Sequence, residues 1–355
     1  MTYIDPRAKV FSHLDRLVGW QQGMRPAPVT VEWDLSNRCV LGCQDCHFAH
    51  THVKGPWTGK PRTLPMAYDS TGDLADVRLV RRTLREMADA GVQGIVWSGG
   101  GEPTTHPQWQ EIVASGSLYG LQQGMYTLGG LLTKDSARFL AQTAAWVVVS
   151  LDGADATTYA AEKGVPRERF TAACDGIRWL VEAQGAVVGV SFLLHAQNYH
   201  RAWDMLARAR ELGATYTTFR PAIRVSQDAP GQTVDDRRWI VNVPYLLDML
   251  ADEPDVEIDP ARFRAYADWQ GHGYQTCLGV RLNTTVTPDG RVWICPQRRG
   301  VTALGDLRIE TFEEIWSRHP GRYTVDAGCR VMCRLHPVNE TLADLAQPRQ
   351  HEAFV

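Results

Sequence analysis

The sequence predicts an α/β fold: a partial (β/α)6 TIM-type barrel followed by a small C-terminal β-hairpin/helix domain. Three observations carry this. Between residues 29 and 220, short β-branched and aromatic runs alternate with segments of helical periodicity. The loops of unusual composition all fall at the C-terminal ends of those runs, where parallel α/β sheets place their chemistry. Beyond residue 271, two alternating segments flank a TPDG turn, the mark of a hairpin.

The elements follow in order. Residues 1–28 read as one amphipathic helix, AKVFSHLDRLVGWQQG, and a proline-containing link. VTVEWDLS, residues 29–36, alternates as a strand does and opens a barrel assigned to residues 29–225. From Leu74 the apolar positions Val77, Val80, Leu84, Met87 and Ala88 recur at helical spacing, and Gly91 suits the left-handed position that ends a helix. Strands follow at IVW (95–97), GMYT (124–127), WVVVSLDG (146–153), AVVGVSFLLH (186–195) and ATYTTFR (214–220), with helices around 134–143, 168–184 and 200–212. About six strands separated by helices imply a parallel sheet with right-handed crossovers. Residues 226–270, rich in Asp and Pro with a helical segment near 244–251, read as a bridge; 271–345 form the second domain and 346–355 a tail.

At 355 residues and 44% hydrophobic content, the chain is long enough to bury one large core and a smaller one. Lys and Arg total 37 against 40 Asp and Glu, a formal charge of -3, so no global field draws it to nucleic acid or anionic lipid. The N-terminus lacks the apolar core of a signal peptide and no apolar run is long enough to span a membrane, which makes a cytoplasmic location the expectation. In a reducing compartment the eight cysteines read as packing residues, nucleophiles or metal ligands rather than disulfides. Three lie at Cys39, Cys43 and Cys46, four at Cys277, Cys295, Cys329 and Cys333, and Cys174 stands apart.

The first group, CVLGCQDC at 39–46, supplies three thiols and no fourth. A structural zinc site takes four ligands, and His47, His50 or His52 are the nearby candidates to complete one. The alternative is an iron–sulfur cluster with one iron left open to a small molecule. The spacing, following a first strand and Asn37, resembles the CxxxCxxC signature of the radical S-adenosylmethionine (radical SAM) superfamily, and GGGEP at 99–103 resembles that superfamily's GGE motif. The resemblance implies a SAM-binding [4Fe-4S] cluster on Cys39, Cys43 and Cys46, with SAM filling the open coordination. It further implies SAM contacts from His47, Phe48, Gly99, Gly100, Gly101, Glu102, Thr127, Ser150, Asp152, Lys163 and Asn198. Two departures stand out. Asp45 replaces the usual aromatic residue before the last cysteine, with Phe48 as its substitute, and Lys163 occupies the place of an arginine after the fourth strand.

Cys277 and Cys295 lie at the outer ends of the hairpin, and Cys329 and Cys333 follow the helix-like TFEEIWSRH, so four thiols converge. Alone, such a group reads as a zinc staple. Beside the first triplet it resembles the auxiliary-cluster domain of radical SAM enzymes, in its shortened "twitch" form of the SPASM domain, implying one auxiliary [4Fe-4S] cluster. Cys174, with Phe170, Ile177 and Leu180 at helical spacing, reads as a packing residue; the sharper reading is a hydrogen-atom donor.

The resemblance implies abstraction of a hydrogen atom from an unactivated carbon, as by an oxidoreductase or isomerase. A small polar substrate such as a sugar, aminocyclitol or nucleotide is expected, leading to dehydrogenation, epimerisation or rearrangement. Only 38 residues precede Cys39, which makes a built-in leader-recognition domain for a peptide substrate unexpected. A peptide maturase working with a separate recognition protein, a modifier of a nucleobase in DNA and a non-catalytic zinc-stapled binding protein are the alternatives. A reductase such as flavodoxin or ferredoxin is the implied partner. His50, His52, Lys54, His195 and Arg220 are candidate substrate contacts.

Overall fold

The structure, a computed structural model, describes residues 5–43, 46, 48, 58–64, 66, 72–222, 238–326, 328–329 and 333–345. Six strands run in sequential order: β1 (Thr30–Asp34), β2 (Gly94–Ser98), β3 (Gln122–Thr127), β4 (Trp146–Ser150), β5 (Val187–Leu194) and β6 (Tyr216–Pro221). Each pairs in parallel with the next, and a two-residue β7 (Val256–Glu257) pairs in parallel with β6. The barrel helices are α2 (Val77–Asp89), α3 (Trp109–Leu118), α4 (Lys134–Thr143), α5 (Ala156–Lys163), α6 (Glu168–Ala183) and α7 (Ala202–Glu211), preceded by α1 (Leu14–Gln21).

The hairpin strands β8 (Asn283–Val286) and β9 (Arg291–Trp293) are antiparallel to each other, and β10 (Ala303–Asp306) adds to β9. They do not form a sheet of their own. β8 pairs in parallel with β1, Thr30 opposite Asn283, so one ten-stranded sheet runs in the order β10-β9-β8-β1-β2-β3-β4-β5-β6-β7. Around it lie α8 (Pro244–Ala251), α9 (Pro260–Ala267), α10 (Phe312–Ser317) and α11 (His336–Leu345).

The alternation of each strand separates two environments. Val147, Val149, Val188, Val190 and Phe192 are fully buried in the main apolar core on the helix-covered face. The other parity faces the lumen and is mostly polar: Glu32 and Asp34 on β1, Ser98 on β2, Tyr126 on β3, Ser150 on β4, Ser191 on β5, Arg220 on β6. At the N-terminal end the lumen is closed by aromatic rings over glycines. A Cβ on Gly124 would stand 1.9 Å from Trp146, and one on Gly189 2.5 Å from Tyr216.

Several expectations need correction. The N-terminal helix is broken: a helical turn at Pro6–Val10 passes through a 3-10 turn at Phe11–His13 into α1. α3 and α5 lie where no helix was expected, and the bridge carries β7, a helical turn at Arg238–Val241 and the helix α9 in addition to α8. Cys174 lies on α6 within the core on the helix-covered face, among Ala173, Ile177 and Leu180, away from the lumen, which leaves it a packing role.

Candidate active site

The loop carrying the first three cysteines is pinned by backbone hydrogen bonds from three directions. The Gly101 amide donates to the Ser36 carbonyl at 2.7 Å, Glu102 to Arg38 at 2.8 Å, Gly42 to Lys163 at 2.8 Å and Leu64 to Asn37 at 2.9 Å. The glycine run after β2 thus lies directly against the cysteine loop. A Cβ on Gly101 would stand 2.1 Å from the Arg38 carbonyl oxygen, so no other residue permits this approach.

Cys39, Cys43 and Cys46 are half-buried; Cys39 and Cys43 pack on the main core, and Cys39, Cys46 and Phe48 on Leu64 and Met66. Burial pushes the Cys39 and Cys43 thiols up, and the other thiols of the triplet add to this. For Cys43 the Lys163 ammonium acts in the opposite direction. Grouped soft donors whose ionised form is penalised by desolvation are stabilised by a cationic iron–sulfur centre, so the donor set fits one. Among the described residues no three His, Cys, Asp or Glu side chains gather about one point as a single metal ion requires.

The residues expected around SAM fall into two sets. Glu102 is buried and its carboxylate is already engaged: Thr104 and Thr127 hydroxyls each donate to Oε1 at 2.6 Å, and the Leu128 amide donates to Oε2 at 2.9 Å. Burial raises its pKa against these bonds. Glu102 and Thr127 therefore latch the Gly99–Gly100–Gly101 turn to the end of β3. Asp152, in the left-handed region at φ 54°, pairs with the buried Lys163 and accepts the Leu193 amide at 2.7 Å. Burial opposes the Lys163 charge, but Asp152 outweighs it and holds the pKa above the ordinary value. The lysine expected at the SAM carboxylate has an intrachain partner and sits beside Cys43. Ser150 faces the lumen at the end of β4. Asn198 caps its own turn, accepting the His195 amide at 2.8 Å and donating to the Leu193 carbonyl at 2.9 Å. His195 is buried, with Nε2 2.9 Å from Glu162 and Nδ1 2.7 Å from Gln197. His47, His50, His52 and Lys54 lie outside the described residues.

One part of the site was not expected from the sequence. Glu32 and Asp34, both fully buried on β1, meet Arg299, which follows Cys295, and Arg334, which follows Cys333. Arg299 Nη2 donates to Glu32 at 2.6 Å and to Asp34 at 3.0 Å, its Nε lies 2.9 Å from Asp34, and Arg334 pairs with the other oxygen of Glu32. The Phe48 ring lies 5.0 Å from the Arg299 guanidinium, so this knot joins the two cysteine groups. Burial raises the pKa of both carboxyls, but two arginines overcome it at Glu32, which is held low. Asp34, with Arg299 as its main cation and Glu32 nearby, remains raised.

Three thiols of the second group lie in one apolar cluster. Cys277, Cys295 and Cys333 share it with Val280, Ile294 and Leu335, and Cys333 lies close enough to Cys329 to disfavour its charge. Cys277 is held by pairing of Thr276–Cys277 with Tyr323–Thr324. Asn339 on α11, absent from the sequence reading, donates to Cys277 Sγ at 3.0 Å and accepts the Leu278 and Gly279 amides at 2.7 and 2.8 Å. Hydrogen bonds of this kind hold and tune a thiolate ligand. Thiols so grouped, with Asn339 supporting Cys277, fit a second cluster.

Known proteins resemble this chain in sequence and in fold. The family model of the radical SAM superfamily matches residues 33–209, and the SPASM model, an iron–sulfur cluster-binding domain, matches 277–334. The chain is 25% identical to PqqA peptide cyclase of Gluconobacter oxydans, over 82% of this chain and 77% of that one. It is 27% identical to AdoMet-dependent heme synthase of Methanosarcina barkeri, over 82% and 83%. The fold matches that of Streptococcus suis SuiB bound to S-adenosylmethionine with a TM-score of 0.63, at 14% identity, over 90% of this chain and 72% of that one. The chain belongs to the radical SAM superfamily, as an enzyme with a C-terminal SPASM-type domain whose cofactors are SAM, a SAM-binding [4Fe-4S] cluster and an auxiliary cluster.

Proposed function

We propose that this enzyme modifies a peptide, abstracting a hydrogen atom from one of its carbons. The observation that carries the reading is the set of relatives named PqqA peptide cyclase, from four further sources besides Gluconobacter; the matches to Methylocella silvestris and Rhodopseudomonas palustris cover 82% and 81% of this chain at 26% and 28% identity. A relative named mycofactocin maturase MftC adds 26% identity over 60% of the chain. This replaces the sugar, aminocyclitol or nucleotide expected from the sequence. The heme synthase relative keeps a non-peptide substrate as the second reading.

Cys39, Cys43 and Cys46 would hold the SAM-binding cluster, and Cys277, Cys295, Cys329 and Cys333 the auxiliary one. When bound, the first cluster and SAM supply a 5′-deoxyadenosyl radical that takes a hydrogen atom from the substrate. The chain's own part is positional. The Gly101 contact and the Glu102–Thr127 latch fix the SAM-side loops to each other and to β3. The Glu32–Asp34–Arg299–Arg334 knot holds both cysteine groups on one strand. Asn339 supports Cys277, and the polar inner face of β1–β6 receives the substrate.

The test is anaerobic incubation with SAM, dithionite and short deuterated peptides encoded beside the gene. Deuterium in 5′-deoxyadenosine together with a changed peptide mass supports the reading. Transfer from a sugar, aminocyclitol or nucleotide, with every peptide unchanged, overturns it.

A further inference from the structure

Arg220 is the exposed question in the lumen. It ends β6 and points inward, so that its guanidinium lies 5.6 Å from the ring of Tyr126, three strands away on β3, across the barrel. One nitrogen, Nη2, donates to Ser191 Oγ at 3.0 Å on the adjacent strand. Nε is buried and has no hydrogen-bond partner, and among the described residues no carboxylate pairs with this arginine. The other lumen cations differ: Arg299 is consumed by Glu32 and Asp34, and Arg334 pairs with Glu32.

The Arg262 guanidinium lies near enough to Arg220 for the two charges to act on each other. Burial holds the Arg262 guanidinium on α9 below its ordinary value, the charge of Arg220 acts the same way, and Asp259 opposes them. A half-buried arginine near a second arginine, with a dry unfilled donor, is costly unless an anion arrives. The hydroxyl of Ser191 and the face of Tyr126 fix the guanidinium plane, leaving a planar donor edge. That edge matches one carboxylate, which accepts from two parallel N–H groups.

We propose that Arg220 anchors a carboxylate of the substrate within the barrel lumen. This rests on the peptide reading above, with an Asp or Glu side chain or the C-terminus of the peptide as the source. The anchored group fixes which neighbouring C–H faces SAM, so Arg220 selects the site of reaction and takes no part in breaking the bond. Ser191 and Tyr126 position the guanidinium.

The experiment is phenylglyoxal labelling of the anaerobic holoenzyme at saturating SAM, with Arg220 followed by mass spectrometry. Glutarate is the probe, and glutaramide and inorganic phosphate are the comparisons. The expected result is labelling of Arg220 that glutarate slows about fivefold and glutaramide does not. Equal rates with all three, protection by phosphate alone, or an Arg220 that SAM already shields would each overturn the proposal. The same preparation is given the peptides described above. Peptide modification without glutarate protection removes the anchor and leaves the peptide reading standing. Glutarate protection without peptide modification keeps the anchor and moves it to a different carboxylate substrate.

Discussion

Replacing Arg299 with methionine isolates the strongest electrostatic feature of the molecule. The side chains of Arg299, Glu32 and Asp34 are 6%, 1% and 0% exposed, so solvent screens almost none of their interaction. In Arg299→Met, Arg334 still holds Glu32, while Asp34 loses its main cation and stays buried beside another carboxylate. Removing one partner of a buried ion pair costs about 3–5 kcal/mol, a large part of the roughly 5–15 kcal/mol that holds a domain folded. Asp34 has an escape, since burial already raises its pKa and the variant raises it further. The folded variant then binds a proton that the unfolded chain releases, so its deficit is full at alkaline pH and shrinks as pH falls through the raised pKa of Asp34. Urea midpoints of wild type and variant, read anaerobically at pH 8 and pH 5.5, measure this. The double variant Arg299→Met/Asp34→Asn regains part of the loss at pH 8. A variant within about 1 kcal/mol of wild type at both pH values would mean that the Arg299–Asp34 pair carries no such weight.

Three further outcomes follow from the same geometry. Gly101→Ala drives a methyl into the Arg38 carbonyl, displaces the cysteine loop and lowers iron at the first site, while iron at the second is retained; equal loss at both sites would contradict the contact. His319 is buried against Trp316, beside Arg25 and Arg281, and burial with those charges lowers its pKa from 6.5 to about 4. The unfolded chain therefore binds the proton first. About 3 kcal/mol of stability present above pH 6.5 is lost as pH falls toward 4, and His319→Phe flattens that slope in acid denaturation. Asn339→Leu removes the donor to Cys277 Sγ, which shifts the auxiliary cluster's reduction potential downward and leaves the first cluster's electron paramagnetic resonance spectrum unchanged.

Much of the barrel was readable because its strands carry their periodicity in β-branched and aromatic residues, and the hairpin because TPDG admits few other conformations. The helices at α3 and α5 were harder. WQEIVASGSL has no clean polar stripe, and in ATTYAAEK only Tyr159 and Lys163 are buried; the N-cap at Asp155 and the left-handed Gly164 were the available signals. The cysteine groups were legible from spacing alone. Glu32 and Asp34 were visible as the polar parity of VTVEWDLS, but such a parity reads as a solvent face until the barrel closes over it. Their partners lie 267 and 265 residues away for Arg299, a pairing that local sequence does not encode. The addition of β8 to β1 was hidden for the same reason, since register between distant strands is set by the assembled sheet.

The proposed radical site rests on the three clustered cysteines. Its most direct measurement is 5′-deoxyadenosine released from SAM by the anaerobic, iron-loaded enzyme on reduction with dithionite. The account predicts release by the wild type and none by Cys39→Ala/Cys43→Ala/Cys46→Ala, with the second cluster still present. Release that survives the triple substitution, or none from a fully loaded wild type, would contradict it.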